Sequence, residues 1–276
     1  MNSPHRPDPH DFGTDLDGEQ MVDGVNYGWL MRDHIARYEY VSRFCRGKRV
    51  LDVATGSGYG AAILRQRGAA AVVCVDRNET ALDYAADRYG TDGLTWMVGD
   101  AYALPFEKEF DVVVSFETIE HLTEPEQFLM QCKKAMKDNG VLAMSTPENV
   151  GGPYVSRYHE IEFRREEFRA LLERHFDSVE LLGQRREMLL PIRLLGDLPT
   201  KYENRLYASA RGSHRMFTFL DRCNKAPNLL AARLLGHPEH ERARILPIDE
   251  PIEYSRFLKD HYCAMVGICR IPRITA

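Results

Sequence analysis

No apolar run in the chain approaches the ~20 residues that a membrane-spanning helix requires. The stretch Met1 to Asp17 is rich in Pro, His and Asp and lacks the apolar centre of a secretory signal. Both absences predict a cytoplasmic protein without a membrane partner. Basic charge is not in surplus either: 36 Lys and Arg stand against 41 Asp and Glu, for a net charge of -5 and a pI near 6.1. That balance disfavours a surface built around nucleic-acid phosphates and favours a small-molecule partner. The six cysteines, at 45, 74, 132, 223, 263 and 269, show no Cys-x-x-Cys spacing and sit mostly among apolar neighbours. They read as buried free thiols in a reducing compartment, not as a disulfide framework or a zinc site. Internal repeats and low-complexity tracts are missing too.

What is present is an ordinary globular composition, 44% hydrophobic and 28% charged over 276 residues, enough for one large domain carrying an insertion. It is organised around Val50-Leu51-Asp52-Val53-Ala54-Thr55-Gly56-Ser57-Gly58-Tyr59-Gly60. Arg49 to Val53 is apolar and β-branched enough for a central strand. Three glycines then let backbone approach a ligand without a Cβ in the way, and Ala61-Ala62-Ile63-Leu64 begins a helix. A ligand is expected at the carboxyl end of that strand. The next apolar run, Ala70 to Val75, ends in Asp76, some twenty positions after the turn, where a carboxylate accepts from both hydroxyls of a ribose. Leu94 to Ala101 adds a third strand ending in Asp100. Carboxylates at three successive strand ends suit a cationic, phosphate-free nucleoside better than a pyrophosphate.

At these residues the chain resembles the class I S-adenosylmethionine-dependent methyltransferases. The matching blocks are Asp52 to Gly60, Val73 to Asp76, Gly99-Asp100-Ala101, Phe110 to Phe116 and Lys137 to Pro147, which fall in order within about 25–183. Ala54 is a departure, since the family usually has glycine there; one methyl is read as a small change. The resemblance implies that Asp76 holds the ribose, Asp100 the adenine amino group, and the Gly56 and Gly58 backbone the methionine moiety. The cofactor-binding set expected on this basis is Asp52, Ala54, Gly56, Gly58, Asp76, Arg77, Asp100, Ala101 and Phe116.

Alternating periodicities predict strands at 48–53, 71–76, 93–98, 110–116 and 140–145 and helices at 59–67, 78–88 and 124–137, with Lys137 to Gly140 as a helix stop and tight turn. Such alternation is the pattern of an α/β fold, a Rossmann-like parallel sheet with helices on both faces. A helix at 164–175 and strands at 177–182 and 261–270 complete a seven-stranded sheet, whose last strand the family implies is antiparallel. One or two helices precede the first strand, over 27–44. In the family such helices close over the cofactor, so Tyr27, His34 or Arg37 is a candidate for meeting the methionine carboxylate or the acceptor; the plainer reading packs Tyr38 and solvates Arg37. The chain thus divides into a flexible N-terminus (1–20), a methyltransferase core (21–183 and 256–276) and a helical insertion (184–255) expected to serve acceptor recognition or contact between copies.

The strand ending at Phe116 runs into Glu117-Thr118-Ile119-Glu120-His121. If helical or a turn, that segment puts Glu117, Glu120 and His121 on one face, able to bind a divalent cation or to act as acid and base. The plain alternative is that Glu120 only fixes the His121 tautomer. Further on come Ser145-Thr146-Pro147 and then His159, just before an acidic and aromatic helix start. This arrangement resembles small-RNA 3'-terminal 2'-O-methyltransferases, ubiquinone-type O-methyltransferases and sugar or glycan methyltransferases of bacterial gene clusters. It implies a metal set of Glu117, Glu120, His121 and His159 around the acceptor hydroxyl, or, without metal, catalysis by His121, His159 and Glu120 alone. His175, His214, His237, His240 and His261 read as surface or structural.

The reading is an S-adenosylmethionine-dependent O-methyltransferase acting on a hydroxyl of a sugar, nucleoside or other polar natural product, with Mg2+ or Mn2+ as an optional second cofactor. RNA 2'-O-methylation, N-methylation of an amino sugar, and a cofactor-binding regulatory protein without turnover are the alternatives.

Overall fold

The computed structural model describes residues 29–149, 158–186, 243–247 and 262–271. Five strands pair side by side in parallel: β1 (Arg49–Val53), β2 (Ala71–Asp76), β3 (Leu94–Val98), β4 (Phe110–Phe116) and β5 (Met136–Thr146). Strands covered on both faces have no reason to alternate polar with apolar, and β1, β2 and β4 do not. Beyond β5 lie β8 (Tyr262–Arg270), β6 (Ser178–Arg186) and β7 (Ala243–Pro247), in the spatial order β3-β2-β1-β4-β5-β8-β6-β7. The last strand is antiparallel to both of its neighbours, as expected. All seven strands read from the sequence are there; β7 is an eighth, added at the edge.

Side-chain alternation assigns each strand residue to one of two layers. Leu51, Val53, Val73 and Val113 face α4 (Pro125–Ala135) and α5 (Arg165–His175), where Phe128, Leu129, Phe168 and Leu172 fill the core. Val50, Val72, Cys74, Val112 and Val114 face α1 (Trp29–Cys45) and α2 (Tyr59–Gln66), packing on Tyr38, Val41, Ala61 and Leu64. A third helix, α3 (Glu79–Tyr89), connects β2 to β3 and is capped by the Asn78 side chain, which accepts from Ala81 N. The Cys45, Cys74, Cys132 and Cys269 thiols are buried and unpaired; Cys223 lies outside the described residues, and only the backbone of Cys263 is described.

Lys137 to Gly140 corrects the sequence reading. Helix α4 ends at Ala135, and these residues already belong to β5 as a bulge: Phe110 pairs with Met136, yet Val112 pairs with Val141. An unpaired excess of residues in one strand of a ladder is absorbed in this way. The chain separates into two units, Met1–Arg185 with Arg244–Ala276, and Arg186–Ala243; the sheet described here belongs to the first. Among the described residues no helix is long and apolar enough to cross a membrane.

Strand order reverses between β1 and β4. Open α/β sheets bind their ligands at such a switch point, outside the carboxyl ends of the flanking strands. Here those ends are Ala54 to Gly58 and Glu117 to His121.

Candidate active site

After β1 the chain turns through Ala54 and Gly56, both left-handed at φ 59° and 56°. For glycine this is costless; Ala54 bears a strain on the order of 1 kcal/mol, which is the physical content of its departure from the family pattern. The three glycines of the turn do different work. A Cβ on Gly56 would meet nothing within 4 Å, so open space lies over that backbone. At Gly58 a Cβ would strike Ala85 and, at 2.7 Å, the Trp96 ring; at Gly60 it would strike the Tyr38 ring. Gly56 therefore leaves room for a ligand, and the other two let aromatic side chains pack.

Asp76 at the end of β2 accepts from Gly56 N (2.7 Å) and Asn78 N (2.9 Å), which fixes its carboxylate beside that open backbone. Asp100 is exposed after β3 and accepts from Tyr102 N at 2.8 Å; Ala101 follows it, half-buried, and Arg77 is exposed beside Asp76. These positions suit hydroxyl and amino groups of a nucleoside. Asp52 is the most deeply buried of the three acids. It shares the inward face of Val50 and is wholly buried beneath the turn, accepting from Thr55 Oγ1 (2.7 Å) and Tyr38 Oη (3.3 Å). Burial, and secondarily the Asp76 charge, pushes its carboxyl up to about 7 against the two hydroxyl hydrogen bonds. Its contacts in the structure support the turn from below. Phe116, also expected to line the cofactor, is buried edge-on to Tyr38 with centroids 4.9 Å apart.

Helix α1 lays three polar side chains over the switch point. Tyr38 reaches Asp52; His34 Nδ1 lies 3.0 Å from Tyr59 Oη; Arg37 Nη1 donates to Glu117 Oε1 (2.6 Å) and to Ser145 Oγ (3.2 Å). Burial, then the Arg37 charge, holds the His34 imidazole well below its ordinary range. Arg37 is only 2% exposed, so the solvated arginine of the plainer reading is corrected: it sits in a buried ion pair. Tyr27 lies outside the described residues.

Glu117 leaves β4 at φ 51°, left-handed despite its side chain. It accepts from Arg37 and from Ser145 Oγ (2.8 Å). The helix that follows is a single 3-10 turn, Ile119–His121, which begins too late to carry Glu117 on the same face. Glu120, His121 and His159 do converge, with one ligand atom from each within 4.8 Å of the others. Of the four residues read as a metal set, the structure gathers these three and leaves Glu117 with Arg37.

Each member of the cluster is held from behind. Tyr158 O lies 3.0 Å from His121 Nδ1; a carbonyl only accepts, so that nitrogen carries the proton and Nε2 the lone pair. Glu162 Oε1, 2.8 Å from His159 Nδ1, fixes the second ring likewise. The two imidazoles stand edge to face, 4.9 Å between centroids. Glu120 is 1% exposed, and neither of its carboxylate oxygens has a hydrogen bond of good geometry; Thr146 and its own backbone favour the charged form only weakly against burial, and His121 Nε2 lies 3.9 Å from Oε1. Burial, then the charge of Glu117, pushes its carboxyl well above the usual range. A buried carboxylate without donors is costly unless it is protonated or faces a cation. Two imidazole lone pairs, oriented by outer hydrogen bonds, and an orphaned carboxylate fit a divalent cation.

Sequence reasoning missed the supports. Glu162 stands three positions after His159 and was within reach of a spacing argument. Tyr38 against Asp52 and Ser145 against Glu117 join elements remote in sequence and left no local signal.

A family model described as a methyltransferase domain matches residues 51–144. Two probable S-adenosylmethionine-dependent methyltransferases, from Mycobacterium tuberculosis and Mycolicibacterium smegmatis, are each 30% identical over 178 residues, 61% of this chain. Those matches span 63% of the first relative's length and 67% of the second's. The crystal structure of an S-adenosylmethionine-dependent methyltransferase from Thermotoga maritima shares the fold, with a TM-score of 0.53 over 88% of this chain and 93% of that one, at 14% identity. With the switch-point glycine turn and the acids of β2 and β3 in place, the chain belongs to the S-adenosylmethionine-dependent methyltransferases.

Proposed function

We propose that the protein transfers the methyl group of S-adenosylmethionine to a hydroxyl oxygen of a small polar acceptor, a sugar, a nucleoside or a related natural product. The observation that carries this reading is the Glu120, His121 and His159 cluster at the carboxyl end of β4. When bound, S-adenosylmethionine supplies a methyl group on a cationic sulfur, which needs no further activation. The difficulty is on the acceptor side, because an alcohol attacks weakly until its proton is drawn away.

The cluster answers that requirement. Acceptors at Nδ1, Tyr158 O for His121 and Glu162 Oε1 for His159, favour the tautomers in which Nε2 is the basic nitrogen. Glu120 supplies a carboxylate kept from water, where its effect on a nearby proton or cation is strengthened. Asp76, fixed by Gly56 N and Asn78 N, would receive the ribose hydroxyls, the open backbone at Gly56 would receive the methionine moiety, and Asp100 with Ala101 would receive the base. Glu120, His121 and His159 would hold a Mg2+ or Mn2+ ion. Such an ion, when bound, lowers the pKa of a hydroxyl group, most usefully one of a vicinal pair. An amine acceptor would leave most of this apparatus idle, which is the reason for choosing oxygen.

The test is S-adenosylhomocysteine release with sugar nucleotides, glycosides, nucleosides, catechols and short RNA, each with EDTA or with Mg2+ or Mn2+. Turnover on a diol that EDTA abolishes supports both the acceptor class and the metal. Turnover indifferent to EDTA leaves the histidines as sole bases. Turnover confined to amines refutes O-methylation.

A further inference from the structure

We propose that Glu148, held by Arg165, is a second anchor for the acceptor: its unused carboxylate oxygen takes a hydrogen bond from a hydroxyl group other than the one that is methylated. This rests on the reading of a hydroxyl-bearing acceptor above and needs no metal. Glu148 lies two positions past the end of β5, the neighbour of the strand whose end carries Glu120 and His121. Two ties place it beside them. Thr146, which closes β5, is near enough to Glu120 to favour its charged form, and two residues of chain reach at most about 7 Å. On the other side Glu160 N and Ile161 N donate to Glu120 O, while Asn149 N donates to Phe163 O at 2.9 Å. The segment that carries His159 therefore runs from the cluster to Glu148.

The pair is unlike an ordinary ion bridge. Arg165 Nε (3.0 Å) and Nη2 (2.7 Å) both reach Glu148 Oε1, although a guanidinium fork matches the two oxygens of a carboxylate. Oε2 has no hydrogen-bond partner, and the side chain is only 7% exposed. A buried acceptor without a donor is destabilising, and a donor brought by a ligand removes that cost. The last torsion of a glutamate is soft, so a small rotation turns Oε2 toward a group entering beside Glu120.

Charge decides what that group is. A lone carboxylate would select an ammonium, but Arg165 already balances the charge of Glu148, and a neutral hydroxyl is met without leaving a charge uncompensated. The hydrogen bond is still charge-assisted and stronger than one between neutral groups. An acceptor with several hydroxyls on one ring reaches both the cluster and this oxygen.

The experiment loads the protein with S-adenosylhomocysteine, omits metal, and titrates methyl glucoside, methyl galactoside and myo-inositol by saturation-transfer NMR. Each is compared with its monodeoxy derivatives and with an amino derivative at the same positions. In the wild type one deoxygenation should weaken binding about tenfold, and an amino group at that position should not improve it. In Glu148→Gln the parent polyol should weaken, and the same deoxygenation should then matter much less, because the two changes remove one interaction. Arg165→Gln leaves the Glu148 charge unbalanced and should shift preference toward the amino derivative; it keeps the test open should Glu148→Gln fail to fold.

A loaded protein that binds none of the polyols overturns the proposal and leaves the cofactor reading standing. So does a deoxygenation cost that is equal in wild type and Glu148→Gln, or a wild-type preference for the amino derivative. The O-methylation reading falls on a different result, S-adenosylhomocysteine release confined to amines.

Discussion

Replacing Asp52 with asparagine should make the protein more stable at alkaline pH and change little at acidic pH. The carboxyl of Asp52 is wholly buried, and its folded-state pKa lies at about 7. In the unfolded chain an aspartate titrates near ~3.9. Between those values the native protein holds a proton that the unfolded chain has released, so stability falls as pH rises from about 4 to about 7 and then levels. From pH 5 to pH 7 that is two units, or roughly 2.7 kcal/mol at ~1.36 kcal/mol per unit, as an upper limit. Asparagine cannot ionise, and the hydroxyls of Thr55 and Tyr38 can still bond to it. The difference between Asp52→Asn and wild type should therefore shift by about 2–3 kcal/mol in favour of the variant between pH 5 and pH 8. Urea unfolding at the two pH values, followed by circular dichroism and compared at equal m, measures it. A stability difference independent of pH would refute the reasoning, because it would mean that Asp52 has the same protonation in the folded and unfolded chains. Taking the difference from wild type cancels the parallel contribution of Glu120, whose carboxyl is raised by burial too.

The other perturbations address the site more directly. Asp76→Ala should weaken S-adenosylhomocysteine binding by on the order of 1–3 kcal/mol through the lost charged hydrogen bonds to ribose, with unchanged calorimetric affinity counting against the cofactor placement. His121→Ala should bind the cofactor as wild type does while turnover falls by about a hundredfold or more; full turnover would move the base elsewhere. Gly60→Ala sets a methyl group into the Tyr38 ring and should cost about 1–3 kcal/mol in thermal or urea unfolding, with Tyr38→Ala in the same chain relieving the clash; no loss in the single variant would mean that α1 yields freely there.

The parallel half of the fold was legible because its signals are local. Buried strands write themselves as largely apolar runs, helices as periodic ones, and the glycines of the turn after β1 mark where the chain must change direction. The bulge at Lys137 to Gly140 was not legible, since Lys-Asp-Asn-Gly is equally good turn chemistry and only the pairing with β4 decides. Strand β7 is five residues long, too short for its pattern to stand out. At the site, His121 and His159 were singled out by residue type and order, and with Glu120 they lie within 4.8 Å of one another by their ligand atoms. Glu117 was grouped with Glu120 and His121 on the condition of a helical or turn segment; its left-handed backbone lies before the single 3-10 turn, and no local signal announces that. Asp52 was read with the cofactor set from the motif; that it turns inward with Val50 follows from the parity of β1, a property of the sheet and not of the motif.

The packing of Trp96 against the glycine turn gives the molecule a built-in optical probe. The chain has two tryptophans, Trp29 in α1 and Trp96 in β3. The Trp96 ring occupies the space that a side chain on Gly58 would claim, and its Nε1 donates to Gly90 O at 2.8 Å, which pins the indole. A ring anchored at one end and pressed on the turn at the other senses any shift of that turn as a change in its surroundings. In a Trp29→Phe background, emission from Trp96 alone would follow the filling of the turn in real time, with no label attached and no acceptor needed.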